Sequence, residues 1–367
     1  MQSRLQDERF MRRALILGAQ GLGQVWPNPS VGCVVVHSDQ IIAEGVTAQG
    51  GRPHAEVVAL EQAGGHARGA TAYVTLEPCT HTGKSGPCTQ ALITAGIARV
   101  VYAIEDVDPR VAGRAKALLE AAGISVTTGV LETQAREAHA GFFKAKEQGL
   151  PFVTLKLATS IDGRIATQTG ESKWITGAAA RHHVHAMRAC HDAVLVGGGT
   201  ARSDDPMLNV RDLGAVRQPV RVVASALLDI PLGGKLAATA GEIPLWICHQ
   251  SGASNFLKDA WIGIGAKLVE VELGVDRKLS ARAMMSALAR EGLTRVYCEG
   301  GGHLAASMLN AGVVDDLMTY TAGVVIGGDG LAGIAPMQLN KLSKAQRFKL
   351  IEAHAIGDDV LHHWRVL

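Results

Sequence analysis

The sequence predicts an α/β protein folded as two domains, and three observations carry that expectation. Short β-like runs alternate with helical ones along nearly the whole chain, the pattern of a sheet covered by helices on both faces. At 367 residues the chain exceeds what one hydrophobic core usually serves. A Gly149-Leu150-Pro151 break interrupts the alternation, placing one domain at residues 1–148 and the other at 149–367. So short a break is no loose tether.

In the first domain, residues 9–24 predict an opening helix with Met11, Leu15 and Ala19 on one face. Residues 31–36 and 41–43 predict strands around a polar turn at Ser38-Asp39. Val57, Val58 and Leu60 then predict a helix, followed by a strand at 72–76, a helix at 89–95 and a strand at 99–104. A helix near 112–121 and a short strand at 124–127 come next. Residues 131–148 predict one charged, amphipathic helix that ends at the break.

The second domain restarts with a strand at 152–158, and Asp162-Gly163 marks a turn. A helix is expected at 178–190, and a strand at 192–196 runs into Gly197-Gly198-Gly199-Thr200. Three β-like segments follow at 220–223, 244–248 and 267–271, then a helix at 279–290. A strand at 295–298 leads into Glu299-Gly300-Gly301-Gly302 and a helix at 303–310. Late strands are expected near 316–320 and 361–366, with no internal repeat or low-complexity segment anywhere.

Composition narrows the class. Hydrophobic residues make up 47% and charged residues 19%, which is globular rather than disordered. Thirty-six basic residues against 34 acidic ones leave a formal charge of +2, with no electrostatic footprint for nucleic acid or membrane. The charged first 13 residues lack the apolar stretch of a secretion signal, and no apolar run approaches a membrane span. Cys33, Cys190, Cys248 and Cys298 sit in apolar or mixed runs and read as ordinary core thiols. The expectation is a cytoplasmic, reduced protein.

The densest chemistry lies in Pro53-His54-Ala55-Glu56, Glu77-Pro78-Cys79 and Gly86-Pro87-Cys88. Zinc that must do chemistry takes three protein ligands and keeps a fourth position open for water. His54, Cys79 and Cys88 fit that count, and Glu56 is then the unligated base beside the water. Zinc deaminases of bases and nucleosides use this set. Two positions on an ideal helix differ by roughly 200°, so His54 and Glu56 converge only at a helix start. Pro78, after a strand, is expected to open a second helix whose N-terminus would favour the Cys79 thiolate. A structural zinc would need a fourth ligand, with His81 the nearby choice, and would leave Glu56 idle. A deaminase acting on nucleic acid would want a basic face and stacking aromatics, yet aromatic content is 4%.

Two glycine-rich turns, at 197–200 and 300–302, each follow a predicted strand. Their backbone amides suit phosphate, and two in one sheet suit a dinucleotide lying across the strand ends. Neither has the full Gly-x-Gly-x-x-Gly spacing, so a tight turn without ligand stays open. His182, His183, His185 and His191 gather beside Arg181 and Arg188. No carboxylate or thiol is placed to complete a metal shell there, and a solvated helix face is expected.

The usual deaminase motif closes with Cys-x-x-Cys. Here eight residues, Thr80-His81-Thr82-Gly83-Lys84-Ser85-Gly86-Pro87, separate the two cysteines. That insert, with Pro27-Asn28-Pro29-Ser30-Val31-Gly32 upstream, resembles the bifunctional riboflavin-biosynthesis deaminase/reductases. Residues 154–167, 170–176, 195–211 and 299–301 resemble the four blocks of the reductase half. The resemblance spans nearly the whole chain. It implies an N-terminal cytidine-deaminase-like α/β/α domain and a C-terminal dihydrofolate-reductase-like α/β domain. The first would use zinc to deaminate a diaminopyrimidinone carrying a phosphoribosyl arm, and the second NADPH to reduce that arm to a ribityl chain.

The resemblance also implies roles for individual residues. Asn28, His81 and Lys84 would hold the pyrimidine and its phosphate. Ala158, Trp174, Thr200, Asp204, Gly301 and Gly302 would touch NADPH. Ser172, Arg188, Leu208, Arg211 and Glu299 would touch the substrate, the two arginines forking its phosphate. Lys156 and Asp204 are the alternatives for protonating the sugar oxygen. The expected partners are this small phosphorylated pyrimidine and a second copy of the chain docked through the second domain.

Overall fold

The structure is a computed structural model that describes residues 2–82, 86–109, 111–214 and 216–367. The chain divides into two compact units, Met1–Gln148 and Gly149–Leu367.

The first unit opens with α1 (Gln2–Gln20), which buries Phe10, Met11, Ala14 and Leu17, a helical stripe that seeks a sheet. The sheet comprises β1 (Gly32–His37), β2 (Gln40–Val46), β3 (Thr71–Val74), β4 (Arg99–Tyr102) and β5 (Ser125–Thr128). Its order is β2-β1-β3-β4-β5, with β3, β4 and β5 parallel and β1 antiparallel to both its neighbours. Ser38 and Asp39 turn the β1–β2 hairpin with φ of 47° and 63°, the mirror-image turn that matches strand twist. Five consecutive residues of β1 are buried, so helices cover both faces. These are α2 (Ala55–Ala63), α3 (Cys88–Thr94), α4 (Arg114–Ala121), α5 (Glu132–Ala138) and α6 (Ala140–Gln148), together with α1. Residues 131–148 therefore form two helices rather than one. The helix breaks at His139, whose buried ring lies 3.2 Å from the Thr75 hydroxyl beneath the sheet.

The second unit holds a nine-stranded sheet. Its strands are β6 (Phe152–Ser160), β8 (Ala193–Gly197), β9 (Val220–Ala224), β10 (Leu245–His249), β11 (Lys267–Glu270), β12 (Arg295–Cys298), β13 (Asp316–Ala322), β15 (Phe348–Ile356) and β16 (Asp359–Val366). The order is β11-β10-β9-β8-β12-β6-β13-β16-β15. All pairs are parallel as far as β13, and β16 and β15 close the sheet antiparallel. A small ribbon pairs β7 (Arg164–Ala166) with β14 (Leu331–Ala332). The helices are α7 (Ala178–Ala189), α8 (Gly198–Asp204), α9 (Lys235–Ala238), α10 (Asn255–Gly263), α11 (Ala281–Arg290) and α12 (Gly302–Asn310). Ala180 and Val184 of α7 pack with Tyr297, Met318, Tyr320 and Leu361 of the sheet.

Candidate active sites

His54 caps α2 in an extended conformation, φ −74° and ψ 159°, and Glu56 stands in the first helical turn. The helix start thus brings two residues together that would diverge in mid-helix. Gly45 sets its height: a methyl group there would stand 2.1 Å from the Ala55 carbonyl oxygen. Cys88 is the first residue of α3, behind Pro87. Pro78, in contrast, opens no helix, and residues 77–80 are irregular. The Cys79 carbonyl accepts instead from the amide and hydroxyl of Thr89, at 3.2 and 3.3 Å. This lays the Cys79 segment against the start of α3, whose Cys88 amide donates to the Cys79 sulphur at 3.3 Å. The helix N-terminus that favours the thiolate is therefore reached through space.

His54 Nδ1 lies 3.2 Å from Cys88 Sγ and 3.6 Å from Cys79 Sγ. Zinc bonds of about 2.0–2.1 Å to nitrogen and about 2.3 Å to sulphur place tetrahedral N and S roughly 3.5 Å apart. The donor set and its spacing fit zinc. Among the described residues it is the one cluster of three or more such ligands, all within 4.8 Å of one another. A hydrogen bond from the Cys88 thiol lowers Cys79 to about 4, against burial and with help from His54. Cys88, keeping the shared proton beside Cys79 in a buried place, is pushed far up. Burial also raises the Glu56 carboxyl, with the His54 charge opposing. Glu56 is 3% exposed.

The other residues expected at this site are less uniform. Asn28 packs so tightly on Gly51 that a methyl group there would stand 1.9 Å from its Nδ2. It thereby abuts the segment that leads into His54. His81 has a buried Nδ1 with no hydrogen-bond partner. Lys84 lies outside the described residues.

In the second unit, β8 and β12 are parallel neighbours, and α8 and α12 spring from their C-terminal ends behind Gly197 and Gly301. The two turns meet, because a methyl group on Gly301 would find Thr200 Oγ1 at 3.7 Å. At Gly302 it would stand 2.5 Å from the Ala332 carbonyl oxygen, so α12 can start there only with glycine. Paired helix N-termini of this kind fit the phosphates of a dinucleotide. Ala158 is half-buried near the end of β6, and Asp204 ends α8, accepting from Ser203 Oγ at 2.8 Å. Trp174 is 69% exposed, with the Arg181 guanidinium 4.6 Å from its ring centroid.

Arg188 donates through Nε and Nη2 to the Glu299 carboxylate, at 2.5 and 3.0 Å, and through Nη1 to the Asn209 carbonyl at 2.9 Å. Its two-pronged edge is engaged by Glu299 within the protein. Arg211 is more than half exposed, with Asp212 at 3.8 Å. Leu208 is buried with φ of 53°, and Ser172 is exposed. Burial would raise the Glu299 carboxyl, but Arg188 and then Lys156 hold it below its ordinary value. Burial lowers the Lys156 ammonium, with Glu299 opposing and Arg188 assisting.

The histidines of α7, and His191 just beyond it, do not form a solvated face. Only His182 is exposed; His183 Nδ1 sits 2.7 Å from the Tyr320 hydroxyl. His191 is buried between the Met187 carbonyl and the Thr154 hydroxyl, at 2.7 and 3.0 Å. His185 is 6% exposed, its Nδ1 has no partner, and its charge state answers to burial and then Arg188, Arg211 and Glu299. Its position three residues before Arg188, on the same helix face, was the available signal.

A unit built to hold zinc beside a buried carboxylate, joined to one built to hold a dinucleotide, is a hydrolase and an oxidoreductase in one chain. Sequence comparison gives the particular family. Residues 4–104 match the family profile of the cytidine and deoxycytidylate deaminase zinc-binding region, and 151–362 that of the RibD C-terminal domain. The chain is 44% identical to the riboflavin biosynthesis protein RibD of Bacillus amyloliquefaciens, covering 88% of this chain and 86% of that protein. With the protein of the same name from Escherichia coli it shares 38% over 98% and 99% of the two chains. The solved structure of Acinetobacter baumannii RibD superposes with a TM-score of 0.88 at 36% identity, covering 99% of both chains. A Thermotoga maritima structure described as a diaminohydroxyphosphoribosylaminopyrimidine deaminase/5-amino-6-(5-phosphoribosylamino)uracil reductase gives 0.87 at 32%, covering 100% of both. The chain belongs to the RibD family of riboflavin biosynthesis proteins. It is a bifunctional deaminase and reductase whose cofactors are zinc and NADPH. Among the described residues no helix is long and apolar enough to cross a membrane.

Proposed function

We propose that residues 1–148 deaminate 2,5-diamino-6-(5-phosphoribosylamino)pyrimidin-4-one and that residues 149–367 reduce the deaminated product. The carrying observation is Glu56, a carboxylate buried beside three metal-ligating atoms without being one of them. Zinc, when held by His54, Cys79 and Cys88, supplies the Lewis acidity that makes water a nucleophile near neutral pH. Glu56 takes the proton released there and hands it to the departing amino group. Burial, by raising its carboxyl, suits it to both tasks. Asn28 orients the pyrimidine, the unpartnered His81 Nδ1 meets a polar group of the substrate, and Lys84 meets its phosphate.

In the second unit NADPH supplies the hydride for C1 of the arm. The glycine turns with Thr200 hold its phosphates, while Ala158, Trp174 and Asp204 line its path. Lys156 gives the proton to the sugar oxygen, since burial has weakened its hold on that proton. Asp204 stands at the exposed end of α8, a poor place for that transfer. Glu299, kept ionised by Arg188, accepts from sugar hydroxyls, and Ser172, Leu208 and Arg211 complete the pocket, with Arg211 on the phosphate. We also infer a homodimer through this unit. The edge strand β15 has seven consecutive exposed residues, including Leu350 and Ile351 at 46% each, an edge that a second copy would cover. A cytoplasmic location fits NADPH and reduced thiol ligands.

Zinc content measured together with ammonia release from the diaminopyrimidinone phosphate tests the reading. Zinc-loaded protein that releases no ammonia overturns it. Cys79→Ser tests the division of labour: deamination should collapse while NADPH oxidation with pre-deaminated substrate stays near the parent rate. Joint loss of both activities, with circular dichroism unchanged, would mean one composite site.

A further inference from the structure

Two residues before the ligand Cys79 lies a carboxylate that the reaction above does not use. Glu77 is 3% exposed. Its Oε2 accepts from the amides of Asp106 and Gly113 at 3.1 and 2.9 Å, and its Oε1 from the amide of Ala115 at 2.8 Å. One carboxylate thus closes both ends of the loop between β4 and α4 and satisfies orphan amides at the α4 N-terminus. Inside that loop the Asp106 carboxylate accepts from the Asp108 amide at 2.9 Å, and the Asp108 carbonyl accepts from the amides of Val111 and Ala112 at 2.8 and 2.9 Å. Pro109 and residues 112–114 are exposed, yet Val111 is 1% exposed. Val111 dips inward to form one buried cluster with Cys79 and Cys88, and Val57 of α2 packs against it.

We propose that Glu77 is a positioning residue of the metal centre, fixing the amides of Asp106, Gly113 and Ala115 so that Val111 seats on the two cysteines and shields their sulphurs. The inference rests on the zinc reading of His54, Cys79 and Cys88. An apolar cover over thiolate ligands keeps water and competing ligands away from the metal–sulphur bonds, and supports around a metal typically matter about 10- to 100-fold in metal affinity or activity. Glu77 carries its backbone directly into Pro78-Cys79, so the same short segment fixes both a ligand and the cover above it.

The test is the rate at which full-length, zinc-loaded protein gives its metal to an excess of a chromogenic chelator. Glu77→Gln puts an amide NH2 where an oxygen accepts from a backbone N–H, and zinc release should quicken about 10- to 100-fold. Amide hydrogen exchange at Asp106, Gly113 and Ala115 should quicken with it. Val111→Ala removes the cover without touching the carboxylate and should quicken release by a smaller factor. In the double variant the two factors should not multiply, because one residue acts through the other. Release at the parent rate in either single variant, or factors that multiply, overturns the proposal. If Glu77→Gln does not fold, Glu77→Asp, which keeps the charge but shortens the reach to the three amides, takes its place with the same expectation. NADPH oxidation by the other unit reports whether each variant chain is otherwise sound. A parent protein that holds no zinc would remove the metal reading and this inference with it, whereas a zinc-loaded parent with unmoved variants removes only this inference.

Discussion

The metal centre and the buried charge cluster of the second unit solve opposite electrostatic problems. The first gathers two thiols, an imidazole and a carboxylate, a set that wants a cation and is incomplete without one. The second buries Arg188 against Glu299 with Lys156 and His185 beside them, a set whose charges largely satisfy one another before any ligand arrives. The difference separates chemistry from scaffolding. In the metal centre most side chains are there to react or to ligate. In the second cluster Arg188 and Glu299 hold each other in place, so substitution of either leaves the other without its partner.

The largest expected effect isolates the chemistry of the first site. Glu56→Gln should retain zinc, since the carboxylate is no ligand, while ammonia release falls about 10²- to 10⁴-fold. Loss of the metal by that variant would make Glu56 a ligand and erase the contrast drawn above. Next comes the scaffold of the second site. Arg188→Ala takes from the buried Glu299 carboxylate its hydrogen-bonded partner and leaves Lys156 as the remaining cation beside it, a change that costs up to about 3–5 kcal/mol. Thermal unfolding should show a clear drop in the transition of the second unit, and an unchanged Tm would mean that the pair is not structural.

Arg211→Ala sharpens the same point from the other side. Its guanidinium is more than half exposed, and its ion pair is with the exposed Asp212. The reductase KM for phosphorylated substrate should rise roughly 10- to 100-fold with Tm and NADPH affinity unmoved. Weakened NADPH binding would put Arg211 on the cofactor instead. The smallest effect is a shift in a pH profile. Burial lowers the Lys156 pKa from its ordinary value, and a proton donor must be protonated to act. Reductase kcat should therefore fall as pH rises, through a midpoint below that of a free lysine. Lys156→Met should lower the rate and remove that limb; a limb that persists would assign the titration elsewhere.

The metal centre was legible because zinc chemistry tolerates few residue types. His54, Glu56, Cys79 and Cys88 announce themselves by kind and spacing, and the helix start that joins His54 to Glu56 follows from rotation per residue alone. Most strands and helices were legible for a similar reason, since hydrophobic periodicity is local. β15 was not: its residues face solvent on both sides, so burial imposed no alternation on them. The split of 131–148 at His139 was hidden as well, because the buried ring there meets Thr75, a residue distant in sequence.

What the sequence alone determined is the reacting set of the deaminase and the alternation of an α/β fold, both written in residues close along the chain. Tertiary structure decided which partner each charged group meets. It gave the edge of Arg188 to Glu299, turned His185 and His191 inward, and brought the amide of Cys88 to the sulphur of Cys79. These pairings join elements far apart in the chain. A charge pays little heed to sequence distance once burial strips away the water that would screen it.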